Sequence, residues 1–275
     1  AFAIMDRAWE LGITTFDTAD AYGGGRSETW IGEWRRAKSA DVRERLVLST
    51  KVFHSVEGDP NDRGLAPARI RRQLEGSLRR LGVERVDMYL THEPDPDTPL
   101  ADTLAVLDEL AREGKLGAIG GSNVDGEILR AGDRYDFVQN SYSLLDRESE
   151  AEVLWLCAAR GLGFEAFSPL AGGWLTGKYR RGEPAAPGSR MTQRPEPYLH
   201  LDDERVYRKL DELQRIAEER GTSLTALAIA WLLADERVTA VVLGPRRPEH
   251  LEPGVEALEL GLSRSERDEL ARVFS

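Results

Sequence analysis

At 275 residues the chain is long enough for one large domain or two small ones, and its 41% hydrophobic and 31% charged residues place it far from disordered compositions. The formal net charge of -11 argues against nucleic-acid backbones and anionic membrane surfaces as main partners, because both recruit concentrated Lys and Arg. A single cysteine, Cys157, excludes an intramolecular disulfide framework and sits in a helical apolar pattern as a small core residue, which fits a reducing cytoplasm.

His54, His92, His200 and His250 are widely separated and lack metal-ligand spacing, so no structural metal is expected. No apolar run approaches the roughly 18 residues that span a bilayer, and the N-terminus lacks a basic segment followed by an apolar one. The chain reads as soluble and unexported.

Phe2, Ile4, Met5, Ala8, Trp9 and Leu11 recur at helical spacing, with Gly12 as a stop, so the chain opens inside a helix. Ile13 to Asp17 follows as a first strand, and Trp30, Ile31 and Trp34 mark one face of the next helix. Leu46 to Lys51 is a second strand. Pro67 to Leu81 is a helix with proline at its start and Gly82 behind it. Val86 to Thr91 is a third strand, a helix runs from Thr98-Pro99 to near Gly114, and Leu116 to Gly121 is a fourth strand. The spacing predicts strands at Phe137 to Ser141 and Leu162 to Phe167, separated by a helix over about Glu148 to Arg160. Pro169 to His200 is rich in Gly, Pro and Arg and longer than loops usually are inside compact domains, which marks a functional loop over a site. Helices over about Asp202 to Arg220 and Ser223 to Ala234 lead to a seventh strand at Val238 to Leu243. A helix after Pro248 and a capping box at Ser263-Arg264-Ser265-Glu266 close the chain.

Strands alternating with helices, and too apolar for one-sided exposure, imply a parallel sheet covered by helices, either a barrel or a doubly wound sheet. Functional residues then belong at the carboxyl ends of strands. Asp17 and Tyr22 follow the first strand, Lys51 ends the second, His92 follows the third, Ser122-Asn123 follow the fourth, and Gln139-Asn140 lie in the fifth. Taken singly, each has an ordinary explanation as a cap, a solvated lysine or a loop residue. Together, a carboxylate, an ammonium, a phenol and an imidazole form a proton-transfer set. The Lys charge favours phenolate and so makes tyrosine a better acid, Asp holds the Lys charged and in place, and a neutral His can polarise a carbonyl.

Phe-Asp-Thr-Ala-Asp-Ala-Tyr-Gly at 16–23, Ser-Thr-Lys at 49–51, Asp-Met-Tyr-Leu-Thr-His at 87–92, Gly-Ser-Asn at 121–123 and Val-Gln-Asn at 138–140 occur in order. Phe-Ser-Pro-Leu-Ala-Gly-Gly-Trp-Leu-Thr-Gly-Lys-Tyr at 167–179 and Val-Val-Leu-Gly-Pro-Arg-Arg-Pro-Glu-His-Leu at 241–251 follow them. Across nearly the whole chain the series resembles the aldo-keto reductase family, most closely its branch of bacterial oxidoreductases and potassium-channel β subunits. The resemblance implies a (β/α)8 TIM barrel spanning 1–275 as one domain, and a cytoplasmic NADPH-dependent oxidoreductase that reduces an aldehyde or ketone. It places Asp17, Tyr22, Lys51 and His92 at the catalytic positions, with Tyr22 as general acid. It gives the nicotinamide to Ser122, Asn123, Gln139 and Phe167. The pyrophosphate falls to Ser168, Pro169, Leu170 and Gly172, with Lys178 and Arg190 closing over it. Gly244 and Arg246 are left for the adenosine phosphate end, and His250 for adenine.

The residues themselves agree on the cofactor class. Gly23 and Gly25 are followed by Glu28 where a dinucleotide-binding G-x-G-x-x-G needs its third glycine, which disfavours a Rossmann site. Arg246-Arg247 beside the helix opening at Pro248 suits a dianionic 2′-phosphate.

Against the family pattern, the N-terminal hairpin and first strand are absent before the first helix, and only a short helix fits between Asn123 and Phe137. Phe167 stands where Tyr or Trp is common, and Pro253-Gly254 replaces an acidic-Asn pair that usually touches adenine. Trp30, Phe53 and Trp174 read equally as a lipophilic substrate wall or as core. Two other functions are open: a cofactor-sensing regulatory subunit with little turnover, and an isomerase or lyase using Lys51 as a Schiff-base nucleophile. Substrate identity and oligomeric state are not legible.

Overall fold

The computed structural model describes residues 1–59 and 61–274. The chain forms two compact units, one of residues 1–140 with 152–164 and one of residues 141–151 with 165–275. Through both, helices alternate with parallel strands in chain order, the alternation of a (β/α)8 barrel with seven of its eight strands. Among the described residues no strand precedes the first helix.

The first unit runs α1 (Phe2–Glu10), β1 (Thr15–Asp17), α2 (Arg26–Arg36), α3 (Ala40–Arg45), β2 (Val47–Val52), α4 (Pro67–Leu81), β3 (Val86–Thr91), α5 (Leu100–Arg112), β4 (Leu116–Ser122), α6 (Gly126–Ala131), β5 (Phe137–Ser141) and α7 (Val153–Arg160). α4 shows why these segments are helices. Pro67 presets the first turn, Gly82 takes the left-handed C-cap, and Ile70, Leu74, Leu78 and Leu81 bury one stripe. Gly32 of α2 lies against the end of α4, where a Cβ would come within 2.4 Å of the Arg80 carbonyl oxygen, so glycine is required for the two backbones to meet. The short connection from β4 to β5 holds a helix of only six residues, α6. Its C-terminal end is fastened by Arg160, whose guanidinium donates to the Leu129 and Gly132 carbonyls.

Register sets the site. Asp17 pairs with Ser49, Lys51 with Leu90, Thr91 with Gly121, and Ser122 with Gln139. Successive strands thus end at nearly one level, and alternation puts Ser49 and Lys51 on the same face of β2.

The second unit contains β6 from Glu165 onward (Gly163–Phe167 in full), α8 (Arg190–Gln193), α9 (Glu204–Glu219), α10 (Leu224–Leu233), β7 (Ala240–Val241), α11 (Glu252–Leu260) and α12 (Arg264–Val273). α10 is apolar on all sides and nearly every residue is buried. Two expectations need correction. The seventh strand covers two residues rather than six, because only Glu165–Ala240 and Ala166–Val241 are in register. The stretch after β6 is not structureless, since it winds through single turns at Ala171–Thr176, α8 and Glu196–Leu201. Trp174 there is core, 1% exposed and packed on Tyr179 and Tyr207, so it is no substrate wall. Cys157 of the first unit is likewise buried, and burial pushes its thiol up to about 11, as befits a core residue.

A buried ionic cluster ties α12 to the loop after β5. The Arg267 guanidinium donates to Asp235 Oδ2 at 2.7 Å, to Tyr142 Oη at 2.7 Å and to Glu150 Oε1 at 3.3 Å, and lies 4.6 Å from the Trp231 ring centroid. Asp235 and Glu150 keep Arg237 and Arg147 as partners, so Arg267→Met should lower the unfolding free energy by about 1.5–3 kcal/mol in urea denaturation, the worth of a hydrogen bond to a charged group, whereas no loss would mean that water screens the cluster.

Candidate active site

The site grows from the turn after β1. Gly23, Gly24 and Gly25 all take positive φ, a run that side chains with a Cβ resist, and Gly25 delivers the chain into α2. The turn holds Tyr22 at the surface, 43% exposed, with its backbone N–H on the Ala19 carbonyl at 3.1 Å.

Beneath it, Lys51 is 1% exposed. Its ammonium pairs with Asp17 Oδ2 and donates to the Thr18 carbonyl at 3.0 Å. The other Asp17 oxygen accepts from Ser49 Oγ at 2.9 Å and Gln139 Nε2 at 3.2 Å. Lys51 Nζ stands 5.5 Å from the Tyr22 ring centroid, and Tyr22 Oη lies 3.4 Å from His92 Nε2. The structure therefore brings Asp17, Tyr22, Lys51 and His92 together from β1, the glycine turn, β2 and the end of β3.

His92 is held by its backbone. Its N–H donates to the Val52 carbonyl at 2.9 Å, and its carbonyl accepts from Asn123 Nδ2 at 2.9 Å. Asn123 adopts φ +57, unusual for a residue with a Cβ, and its amide also reaches Ser122 Oγ at 3.3 Å. Burial first, then the Lys51 charge and His54, hold the His92 imidazole down to about 3, so it is neutral at physiological pH. Gln139 and Ser122 are buried beside this cluster in the same unit.

Behind the turn lies a second polar group that the sequence did not reveal. Glu28 is fully buried, accepting from Thr50 Oγ1 and Arg80 Nε at 2.6 Å each. Asp20 is also fully buried, and neither of its side-chain oxygens nor the Tyr89 hydroxyl has a hydrogen-bond partner among the described residues. Burial and the neighbouring Glu28 push the Asp20 carboxyl up to about 7, against the pull of Arg69 and Arg80. Ser49 and Thr18 stand within the ordered motifs, but their parts as a hydroxyl donor to Asp17 and a carbonyl acceptor for Lys51 emerge only from the fold. His54 meets His92 edge-on with ring centroids 4.8 Å apart, a contact that their wide separation in sequence does not announce.

In the second unit, Phe167 ends β6, and Ser168, Ala171, Gly172 and Gly173 then turn through positive φ. A Cβ on Gly172 would come within 2.7 Å of the Tyr198 ring, and one on Gly173 would strike the Lys178 ammonium. Pro169 and Leu170 complete this turn. Arg246 donates to the Gly188 carbonyl and, at 2.9 Å, to Gln193 Oε1, clasping the two sides of the segment that carries Arg190. Arg247 lies 3.4 Å from His250 Nε2, and Gly244 is exposed just before them. Ser168, Lys178, Arg190, Arg246 and Arg247 thus all belong to the second unit, in a chain of net charge -11. Gly254 is explained by packing, since a Cβ there would fall 2.7 Å from Leu243. Among the described residues no group of three or more His, Cys, Asp or Glu could hold a metal ion, and no helix is long and apolar enough to cross a membrane.

A parallel α/β chain with this strand-end constellation defines a class, and comparison with known proteins agrees. The aldo/keto reductase family model matches residues 1–274, and the chain belongs to that family. It is 37% identical to the uncharacterized oxidoreductase YrpG of Bacillus subtilis, over 96% of this chain and 83% of that one. It is 34% identical to an NADH-specific methylglyoxal reductase of Escherichia coli, over 93% and 82% of the two chains. A putative voltage-gated potassium channel subunit beta of Schizosaccharomyces pombe is 35% identical over 93% and 78%. Among solved structures, the glycerol dehydrogenase AKR11B4 of Gluconobacter oxydans superposes with a TM-score of 0.87 at 29% identity, covering 99% of this chain and 84% of that one. The protein is an oxidoreductase of the carbonyl-reducing type typical of the family.

Asp20 generates a pH-dependent prediction. Its folded value lies above its ordinary 3.8, so its contribution to stability is complete below about 4 and is lost as pH rises through about 7. Asp20→Asn cannot ionise and should therefore be the more stable protein at pH 8, by an amount on the order of 2–4 kcal/mol that vanishes near pH 4. Thermal unfolding at the two pH values measures this, and equal differences at both would contradict it.

Proposed function

We propose that the chain, as one domain over 1–275, is an NADPH-dependent reductase of aldehydes or ketones. The observation that carries this is the buried Lys51–Asp17 pair lying under a tyrosine hydroxyl that meets a neutral histidine. A nicotinamide dinucleotide, when bound, supplies the hydride. Tyr22 gives the proton to the carbonyl oxygen, and His92 in its Nε2–H tautomer offers that oxygen a second donor without competing as a charged acid. Lys51 supplies the positive charge that favours the phenolate left behind, and Asp17 keeps that charge in place.

Ser122, Asn123 and Gln139 are assigned to the nicotinamide amide, with Phe167 against its ring. Ser168, Pro169, Leu170 and Gly172 are assigned to the diphosphate, together with Lys178 and Arg190. Gly244, Arg246, Arg247 and His250 are assigned to the adenosine phosphate, and the paired guanidiniums support NADPH over NADH. The substrate is a small carbonyl compound. A sensor with little turnover is the second reading, favoured by relatives named as channel subunits. An intact proton-transfer set argues against it.

Tyr22→Phe keeps the ring and removes the proton. It should lower kcat for aldehyde reduction by about 10²–10⁴-fold while NADPH binding, read by tryptophan fluorescence quenching, stays within a few fold. Undiminished kcat with cofactor bound would remove Tyr22 as the acid.

A further inference from the structure

β4 and β5 run side by side as far as Ser122 and Gln139, their last pair in register. Beyond it the chain turns at Asn123, and Val124 is buried against β4, where a Cβ on Gly121 would come within 2.9 Å of Val124 Cγ1. The pairing nevertheless continues for one more step, made by a side chain. Asn140 Nδ2 donates to the Val124 carbonyl at 2.7 Å, and Asn140 Oδ1 accepts from the Val124 N–H at 3.1 Å. A carboxamide carries the same donor and acceptor as a peptide group, so it can satisfy both backbone groups of one residue as a neighbouring strand would. Successive residues of β5 point to opposite faces, which lets Gln139 reach Asp17 while Asn140 turns to Val124.

Asn123 is thereby held from both sides. Its own N–H donates to the Gln139 carbonyl at 3.3 Å, and its neighbour Val124 is clamped by Asn140. A left-handed backbone is unfavourable for a residue with a Cβ, even for asparagine, which tolerates it best, so the turn needs such support. Asn123 Nδ2 is committed to the His92 carbonyl and to Ser122 Oγ, while Asn123 Oδ1 accepts from none of the described residues. That oxygen is the acceptor offered to the amide of a bound nicotinamide. We infer that Asn140 is a positioning residue: by clamping the Val124 backbone it fixes the Asn123 turn and aims the Asn123 amide at the nicotinamide. The inference rests on the proposed NADPH-dependent reduction and deepens it. Asn140 acts through Asn123, because its own carboxamide is committed to Val124. Without Asn140 two buried backbone groups would lack partners, and the turn would relax toward whatever conformation satisfies them.

The test removes the clamp and asks which half of the cofactor responds. Asn140→Leu keeps nearly the same shape with no donor or acceptor, and Asn140→Ala provides a second clamp-less variant if the leucine protein does not fold. Titration calorimetry measures the dissociation constants of NADPH and of 2′-phospho-ADP-ribose, the part of NADPH that lacks the nicotinamide. In either variant the NADPH constant should rise about tenfold, on the scale of one hydrogen bond, while that of the fragment stays within about twofold of the wild type. A merely structural residue would weaken both ligands together. Parallel weakening of the two, or an unchanged NADPH constant, would overturn the role of Asn140 while NADPH binding by the wild type upholds the reductase reading. A wild-type protein that bound no NADPH would remove that reading and this inference with it.

Discussion

The ammonium of Lys51 is buried to 1% exposure and pairs there with Asp17. An unpaired buried charge costs several kcal/mol, so the fold must supply its partners in full. Asp17 provides the counter-charge from β1, the Thr18 carbonyl provides an acceptor, and Ser49 and Gln139 satisfy the remaining Asp17 oxygen. These contacts join β1, β2 and β5, so the pair and the strand register specify one another. A one-residue slip in β2 would turn Lys51 to the other face and strand Asp17. The turn carrying Tyr22 springs from this base, which is why its position over the ammonium needs no contact from the solvent side.

Around that base the protein tolerates several costly features. His92 is kept neutral by burial beside a cation, Asn123 holds a left-handed backbone to reach the His92 carbonyl, and Asp20 is buried without a hydrogen-bond partner among the described residues. Strain and unsatisfied polarity gather where groups must be preorganised, and the apolar stripes of α2, α4 and α5 offset them. In the second unit the corresponding device is the left-handed run after β6, which draws backbone, Ser168 and Lys178 into one turn, with Arg246 clasping the segment around Arg190.

Where punctuation is strong, sequence alone places elements well. α4 is bounded by Pro67 and Gly82 as expected, and β3 and β5 have the expected limits, Val86–Thr91 and Phe137–Ser141. The sequence does not mark α3, since Ala40 and Val42 among four charged residues make no stripe and the signal is its N-cap, Ser39. β7 is shorter than expected because Val and Thr in sequence give β propensity but do not reveal how much partner strand is in reach. For the site, Asp17, Tyr22, Lys51 and His92 were legible from their positions at strand ends and from ordered motifs. Ser49, His54, Glu28 and Arg69 were not, because their roles come from contacts across about 15 to 52 positions that no local pattern encodes.

The central claim is that the buried charge of Lys51 acts on the chemical step rather than on cofactor affinity. Single-turnover oxidation of bound NADPH by Lys51→Met, with the NADPH dissociation constant measured on the same protein, tests it most directly. The account predicts a fall in the transfer rate by about 10²–10⁴-fold, the range typical of lost acid–base function, with the dissociation constant changed by less than about threefold. An unchanged transfer rate, or a loss explained wholly by failure to bind NADPH, would contradict it.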